Sequence, residues 1–463
     1  MAVQAGKTKL PVNKAESPVG LEQSAATQAS PRVFYGWWIV AACVAMLTLS
    51  SGIGFYGLGV FLPLLEQEFD ASSALASLGG TVFFLVFGLA SPFVGRWVDS
   101  RGARLVMIMG SALFGAGLIG LALSQELWQT YTAYAAMAVG FGGTALIPVS
   151  ALVSAWFSAR RGLAMAVAMS GISLGGVVMT PLATQLIVAY GWRTAALTLA
   201  VLVWVVGVPL SALIIRRRPE DLGLLPDGVI HETLAARTAS SQNAAVPDAS
   251  HPWNLSSARR TRAFWGITVG YLLINLSLIG VLMHQIRFLT SGTAAQGAMS
   301  PQAAAFAVSL TALASIVGRL ALGAVIDRLS KRWVTVGLMV AQAAATVGLL
   351  VAQGNLVLVY LAVLAFGLGM GCAIMLQSLL VSDMFGVVSF GEIYGATMLA
   401  ATAGMAVGPW LSGYLYERFG SYEVAFIAFA GIALLAAISV SLARPPMAPP
   451  QASMKKDILM TRR

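Results

Sequence analysis

Apolar segments of membrane-spanning length recur along this chain, divided by short polar turns. A helix needs about 20 residues to cross the hydrocarbon core of a bilayer. Twelve segments meet that length, at 36–62, 75–95, 104–123, 130–155, 162–186, 194–215, 264–286, 303–326, 333–352, 356–381, 392–415 and 422–442. The pattern predicts an all-α membrane protein with twelve transmembrane helices. Residues 219–262 form the one long polar interruption, and their Pro, Ser and Ala content reads as a flexible linker between six-helix units at 32–218 and 263–443. Residues 1–31 and 444–463 read as disordered tails. No apolar run directly follows Lys7 and Lys9, as a cleavable signal peptide would require.

Composition sharpens the class. The chain is 58% hydrophobic and 10% charged, with a mean hydropathy of +0.81, against roughly 25% charged residues in an average soluble domain. Charge placement then orients the helices. Of the 28 Lys and Arg, all but Arg193, Arg287, Arg319 and Arg418 fall in the tails, the linker and the turns that an even helix count puts on one side. The positive-inside rule makes that side cytoplasmic, with both termini and the linker on it, in the cell (inner) membrane. The net charge of +10 therefore reads as topology and contact with anionic lipid, not as a nucleic-acid footprint. Cys43 and Cys372 both lie inside helices, so no disulfide framework is implied.

The two halves repeat. A shift of 228 residues superposes Gly95 on Gly323, Asp99 on Asp327, Ser154 on Ser382, Phe157 on Phe385, Gly176 on Gly404 and Pro181 on Pro409; one residue further, Gly191 falls on Gly420. A constant offset through helices 2 to 5 and 8 to 11 describes six helices duplicated in parallel. Parallel repeats with a site at their midplane interface describe one class of secondary transporter.

Arg319 is the one charged residue well inside a spanning segment. A guanidinium does not shed its proton, and placing it near the bilayer centre costs at least about 2.5–3.5 kcal/mol. No Asp or Glu lies at comparable depth in another helix. The inferred counter-ion is the substrate, an anion. The bland alternative is a structural arginine satisfied by helix carbonyls and water.

Two loops at the repeat positions carry a second kind of signal. The first reads Gly95-Arg-Trp-Val-Asp99-Ser-Arg101-Gly102-Ala-Arg104, and its copy reads Gly323-Ala-Val-Ile-Asp327-Arg328-Leu-Ser330-Lys331-Arg332. With these residues the chain resembles the major facilitator superfamily over residues 33–443. Ser100 and Ala103 depart from that superfamily's basic positions, and Ser330 replaces a glycine. The physical reading is a carboxylate at a helix end facing basic side chains on the neighbouring turn. Such surface pairs are individually weak, so the latch biases a conformational equilibrium without locking it.

A narrower resemblance is to the monocarboxylate-porter branch, carried by Tyr35-Gly36-Trp37-Trp38, by Trp156-Phe157 through Arg160-Arg161-Gly162 to Gly171 and Gly175, by Arg218-Pro219-Glu220-Asp221-Leu222-Gly223, and by Gly318-Arg319. The resemblance implies that Arg319 takes the substrate carboxylate. It also implies that the 156–175 stretch works in gating and packing, although Gly162, Gly171 and Gly175 are equally small residues for close helix contact. Animal members carry an Asp one turn before the arginine that helps couple protons; here Ser315 holds that position, so either another group carries the proton, with His284 a candidate, or the substrate moves by uniport or exchange. The oxalate/formate-exchanger branch resembles the chain almost as well. Its dicarboxylate binders add a lysine in helix 11, and residues 392–415 contain none, so a monoanion is favoured.

Other classes find little support. The histidines are His231, His251 and His284, two of them in the linker, so no metal site or cofactor is expected. Gly52-Ile-Gly54-Phe-Tyr-Gly57 matches a dinucleotide fingerprint but has no strand before it; a local break or close packing in helix 1 is the simpler reading. The expected protein is therefore a non-enzymatic, monomeric transporter of a small organic anion. A membrane sensor on the same fold is the alternative from another class.

Overall fold

The structure, a computed structural model, describes residues 34–71, 73–228, 253–290, 299–352 and 354–446. Residues 1–31 and 447–463 of the expected tails and residues 229–252 of the expected linker lie outside the described residues. Twelve long helices are present among the described residues. Helix α1 runs through Gly36–Ser51, a π-helical turn Gly52–Tyr56 and Gly57–Glu68. The rest of the first half is α2 (Ser73–Arg101), α3 (Ala103–Ala122), α4 (Leu127–Trp156), α5 (Arg161–Tyr190) and α6 (Trp192–Leu213). The second half is α7 (Arg262–Thr290), α8 (Pro301–Val325), α9 (Lys331–Val351), α10 (Leu356–Phe385), α11 (Phe390–Phe419) and α12 (Tyr422–Leu442). Eleven are long and apolar enough to cross a membrane among the described residues; α11, interrupted by Gly, Thr and Tyr, is not among them but is 30 residues long.

Several helices outrun the apolar segments that signalled them: α1 continues past 62, α5 to Tyr190 and α7 to Thr290. The helix continues beyond its apolar core, because its backbone N–H and C=O groups need partners through the interfacial zone as well. Helices α5 and α11 stop at repeat-related positions for one reason: Gly191 (φ 79°) and Gly420 (φ 68°) both turn into the left-handed region that glycine adopts without a Cβ penalty. Helix α4 breaks at Ala145, three residues before Pro148, whose ring removes a helical N–H donor. There Ser50 of α1 donates to Thr144 at 2.8 Å.

The halves meet along two seams. On one, α2 packs on α11; on the other, α5 packs on α8. Small residues make these approaches possible. A Cβ at Gly95 would collide with the Gly391 carbonyl, one at Gly395 with the Ser91 carbonyl, and one at Gly323 with Ala166. These contacts gather on the face that carries the linker, here called the linker face.

Gly95→Ala should lower the melting temperature of the detergent-solubilised protein by the equivalent of about 1–3 kcal/mol, the usual cost of overpacking. Gly59, where a Cβ meets nothing within 4 Å, is the control, and its Ala variant should be neutral or slightly stabilised. Equal melting of the two variants would contradict the backbone contact at Gly95.

Candidate substrate site and the contacts that close it

Arg319 lies near the middle of the Phe306–Arg328 span and is 3% exposed. Its position follows from glycines that bring α8 and α10 into backbone contact. A Cβ at Gly318 would press on Leu368, and Cβ atoms at Gly367 and Gly371 would meet the carbonyls of Thr311 and Ser315. With the helices this close, Arg319 Nε donates to the Gly371 carbonyl at 2.8 Å. Nη1 donates across the seam to the Met169 carbonyl of α5 at 2.6 Å. The guanidinium thus ties the two halves together from inside.

Those two bonds use two of the five N–H donors of a guanidinium and leave three, including both on Nη2. Each bond from a charged donor is worth about 1.5–3 kcal/mol. Carbonyls satisfy donors without cancelling charge, however. The ion pairs among the described residues are Arg96–Glu392, Arg193–Glu68 and Lys331–Asp383, none of which involves Arg319. The groups within its electrostatic reach are Tyr56 and Cys372. Tyr56 ends the π-helical turn of α1, and its ring lies over Gly176 of α5. Single-turn π insertions of this kind gather at functional sites. Neither Tyr56 nor the Met169 and Gly371 carbonyls stand out in the sequence; the glycine triplets at 52–57 and 367–371 are the available signal.

The two carboxylates of the repeat occupy equivalent places on the linker face. Asp99, at the end of α2, accepts from the Gly391 and Glu392 backbone N–H groups at 2.8 Å each, at the start of α11. Asp327, after α8, accepts from the Gly162 N–H at 2.8 and 3.0 Å, at the start of α5. Each carboxylate therefore reaches into the opposite half and caps a helix N-terminus, where unpaired N–H groups and the helix dipole favour an anion.

This corrects the expected partners. Arg101 lies over the Trp97 ring, at 6.0 Å from its centroid, and Arg104 is exposed. Arg332 donates to the Ser441 carbonyl and sits over Trp333, and Arg328 is exposed. None of the four is hydrogen-bonded to Asp99 or Asp327; a helix terminus offers paired, fixed donors that a flexible surface side chain does not. The basic contacts found instead are Arg217, which donates to the Asp99 carbonyl at 2.8 Å and packs over Gly102 (φ 85°), and Arg96, paired with Glu392 across the seam at 2.6 Å.

The 156–175 stretch divides by role. Trp156 and Phe157 are fully buried against Phe34, Tyr35 and Trp37, and Trp156 Nε1 donates to the Arg216 carbonyl. Gly171 and Gly175 lie against the α1 backbone at Val44 and Gly52. Arg160 is exposed, whereas Arg161 donates to the Phe157 carbonyl and, across the seam, to Ser382 at 3.4 Å. His284 is not at Arg319: its ring nitrogens pair with the Tyr422 hydroxyl (3.2 Å) and the Pro409 carbonyl (3.1 Å) within the second half. Ser315 donates to the Ala312 carbonyl of its own helix.

Asp99→Asn and Asp327→Asn should each favour separation of the linker face. The loss of a charge-assisted cap, on the order of 1–2 kcal/mol, corresponds to about five- to thirtyfold in the ratio of conformers. Cysteine accessibility along the α2–α11 seam reports that ratio, and unchanged accessibility in both variants would reject the latch.

The sequence profile of the Major Facilitator Superfamily matches residues 44–291 and 288–459. Monocarboxylate transporter 13 of Rattus norvegicus is 26% identical over 423 residues, covering 89% of each chain. Among solved structures, the transporter FucP in its outward conformation superposes with a TM-score of 0.65 at 15% identity, over 89% of this chain and all of FucP. The human organic anion transporter MFSD10 gives 0.65 at 18% identity, over 88% of this chain and 99% of that one. Twelve helices in two parallel halves, with a profile match spanning both, show that the chain belongs to the Major Facilitator Superfamily.

Proposed function

We propose that the protein is a secondary active transporter that moves a small organic anion, a monocarboxylate, across the cell membrane by alternating access, with its linker face cytoplasmic. The observation that carries the reading is Arg319: buried between the halves, hydrogen-bonded to carbonyls of both, and without an acidic partner among the described residues. Its remaining donors suit a carboxylate, which a guanidinium holds through two parallel charge-assisted bonds. The relationship to monocarboxylate transporter 13 supports the substrate class.

On this reading the structure is a member of the cycle closed at the linker face by Asp99, Asp327 and the Arg319–Met169 bond. A carboxylate competing for Nη1 loosens that last bond, so substrate binding and linker-face opening are coupled through one side chain. Ser315 and the distant His284 place no acid beside Arg319. A bound monoanion therefore neutralises the site by itself, which favours exchange or uniport over proton symport through this site.

Arg319→Lys keeps the charge but loses the planar fork, and should weaken monocarboxylate binding about 10- to 100-fold, the equivalent of one charge-assisted hydrogen bond. Arg319→Ala should abolish counterflow in proteoliposomes with little change in melting temperature, because the freed carbonyls keep their helical bonds. Retained binding with a large loss of heat stability would make the arginine structural. Absence of counterflow with every monocarboxylate tried, in protein that still binds one, would favour the sensor alternative.

Orientation is tested separately. A cysteine replacing Glu220, exposed on the linker, should react with impermeant maleimide in inside-out vesicles and not in intact cells. Labelling from outside would invert the topology.

A further inference from the structure

The start of the linker is folded and belongs to the first half. Tyr35 donates to the Ile214 carbonyl, Trp156 to the Arg216 carbonyl and Arg217 to the Asp99 carbonyl. Beyond them, a 3-10 turn Pro219–Leu222 is closed by Asp221 accepting from the Arg218 N–H at 3.1 Å, and Gly223 (φ 68°) reverses the chain. The reversal delivers Asp227, one of two non-glycine residues with positive φ (61°) among the described residues, to the α4–α5 turn. Its carboxylate accepts from the backbone N–H groups of Ser158 (2.9 Å), Ala159 (2.6 Å) and Arg160 (3.4 Å).

The amide run that opens α5 is thus shared by two carboxylates of different origin. Asp227 holds 158–160 from within the first half, and Asp327 holds Gly162 from the second. Arg161 lies between them, half-buried, in the electrostatic field of Asp383, Asp327 and Asp227. Asp383 is itself paired with Lys331 at 2.7 Å. If the halves part at the linker face, Asp327, Asp383 and Ser382 leave with the second half, and Asp227 stays.

We propose that Asp227 is a positioning residue for alternating access: a resident counter-charge for Arg161 and the α5 N-terminus that favours opening of the linker face, opposing Asp327. The proposal rests on the alternating-access reading above. Its sign follows from charge. In the closed state Arg161 has Asp383 and Asp327 as well as Asp227 within its electrostatic reach, and in the open state Asp227 is the carboxylate left to Arg161 and the turn. Removing its charge therefore costs the open state more than the closed one, which favours closure. Asn keeps an oxygen acceptor for the 158–160 amides, so the turn retains its shape.

The test is a spin-label distance between cysteines replacing Tyr190 and Phe419, exposed ends of α5 and α11 on the face opposite the linker, in the purified full chain. Asp227→Asn should move the population toward the longer, outward-open distance by about two- to fivefold, the scale of a partly exposed ion pair. Asp327→Asn should move it toward the shorter one. Asp227→Ala, which also loses the acceptor, should add a lower melting temperature. A shift of Asp227→Asn in the same direction as Asp327→Asn, or no shift, overturns the proposal. The response of Asp327→Asn tells whether the alternating-access reading fails with it, since a plain structural cap would lower melting without a directional shift.

Discussion

A permanently charged guanidinium buried where two helical bundles meet is the constraint around which this protein is arranged. Arg319 is held by one carbonyl from each half. Hydrogen bonds to carbonyls offset part of its desolvation but leave a net charge in a medium of low dielectric, where charge interactions are strongest. Everything close to it is small or neutral: the glycines that draw α10 against α8, the Cys372 thiol, and the Tyr56 ring at the end of a π-helical turn. On the proposed reading, an anion entering between the halves meets a site whose charge it completes and whose inter-half bond it disturbs.

The linker face repeats one device with twofold regularity. A carboxylate at the end of α2 caps α11, and its repeat partner after α8 caps α5. Fixed backbone donors make these contacts directional, while their position at the membrane surface keeps them weak enough to break. Close backbone approach at Gly95–Gly391 and Gly323–Ala166 brings the carboxylates into range. Packing and electrostatics therefore act at the same points, and a substitution at either should move the same equilibrium.

Much of this was legible in the chain. Membrane-length apolar runs located all twelve helices, because every spanning backbone must satisfy itself internally. The 228-residue offset located the paired carboxylates, because equivalent places in duplicated bundles demand the same chemistry. Arg319 stood out because charge at that depth is costly. What stayed hidden depends on the third dimension. The Asp99 and Asp327 carboxylates read as partners of nearby arginines, since sequence shows side-chain charge and does not show helix N-termini donated by the other half. The Met169 and Gly371 carbonyls belong to every residue alike and carry no letter. Asp227 looked like an ordinary linker residue until Gly223 turned it back onto the α4–α5 turn.

The central claim is that Arg319 exchanges a carbonyl of the opposite half for a substrate carboxylate. Solid-state NMR on protein carrying 15N-labelled arginine and a saturating 13C-carboxylate monocarboxylate measures this directly. The account predicts a dipolar contact between the Arg319 guanidinium and the carboxylate carbon within about 4 Å, as a charge-assisted pair requires, together with loss of the coupling to the Met169 carbonyl. A bound carboxylate with no contact to Arg319, and an unchanged Met169 bond, would contradict it.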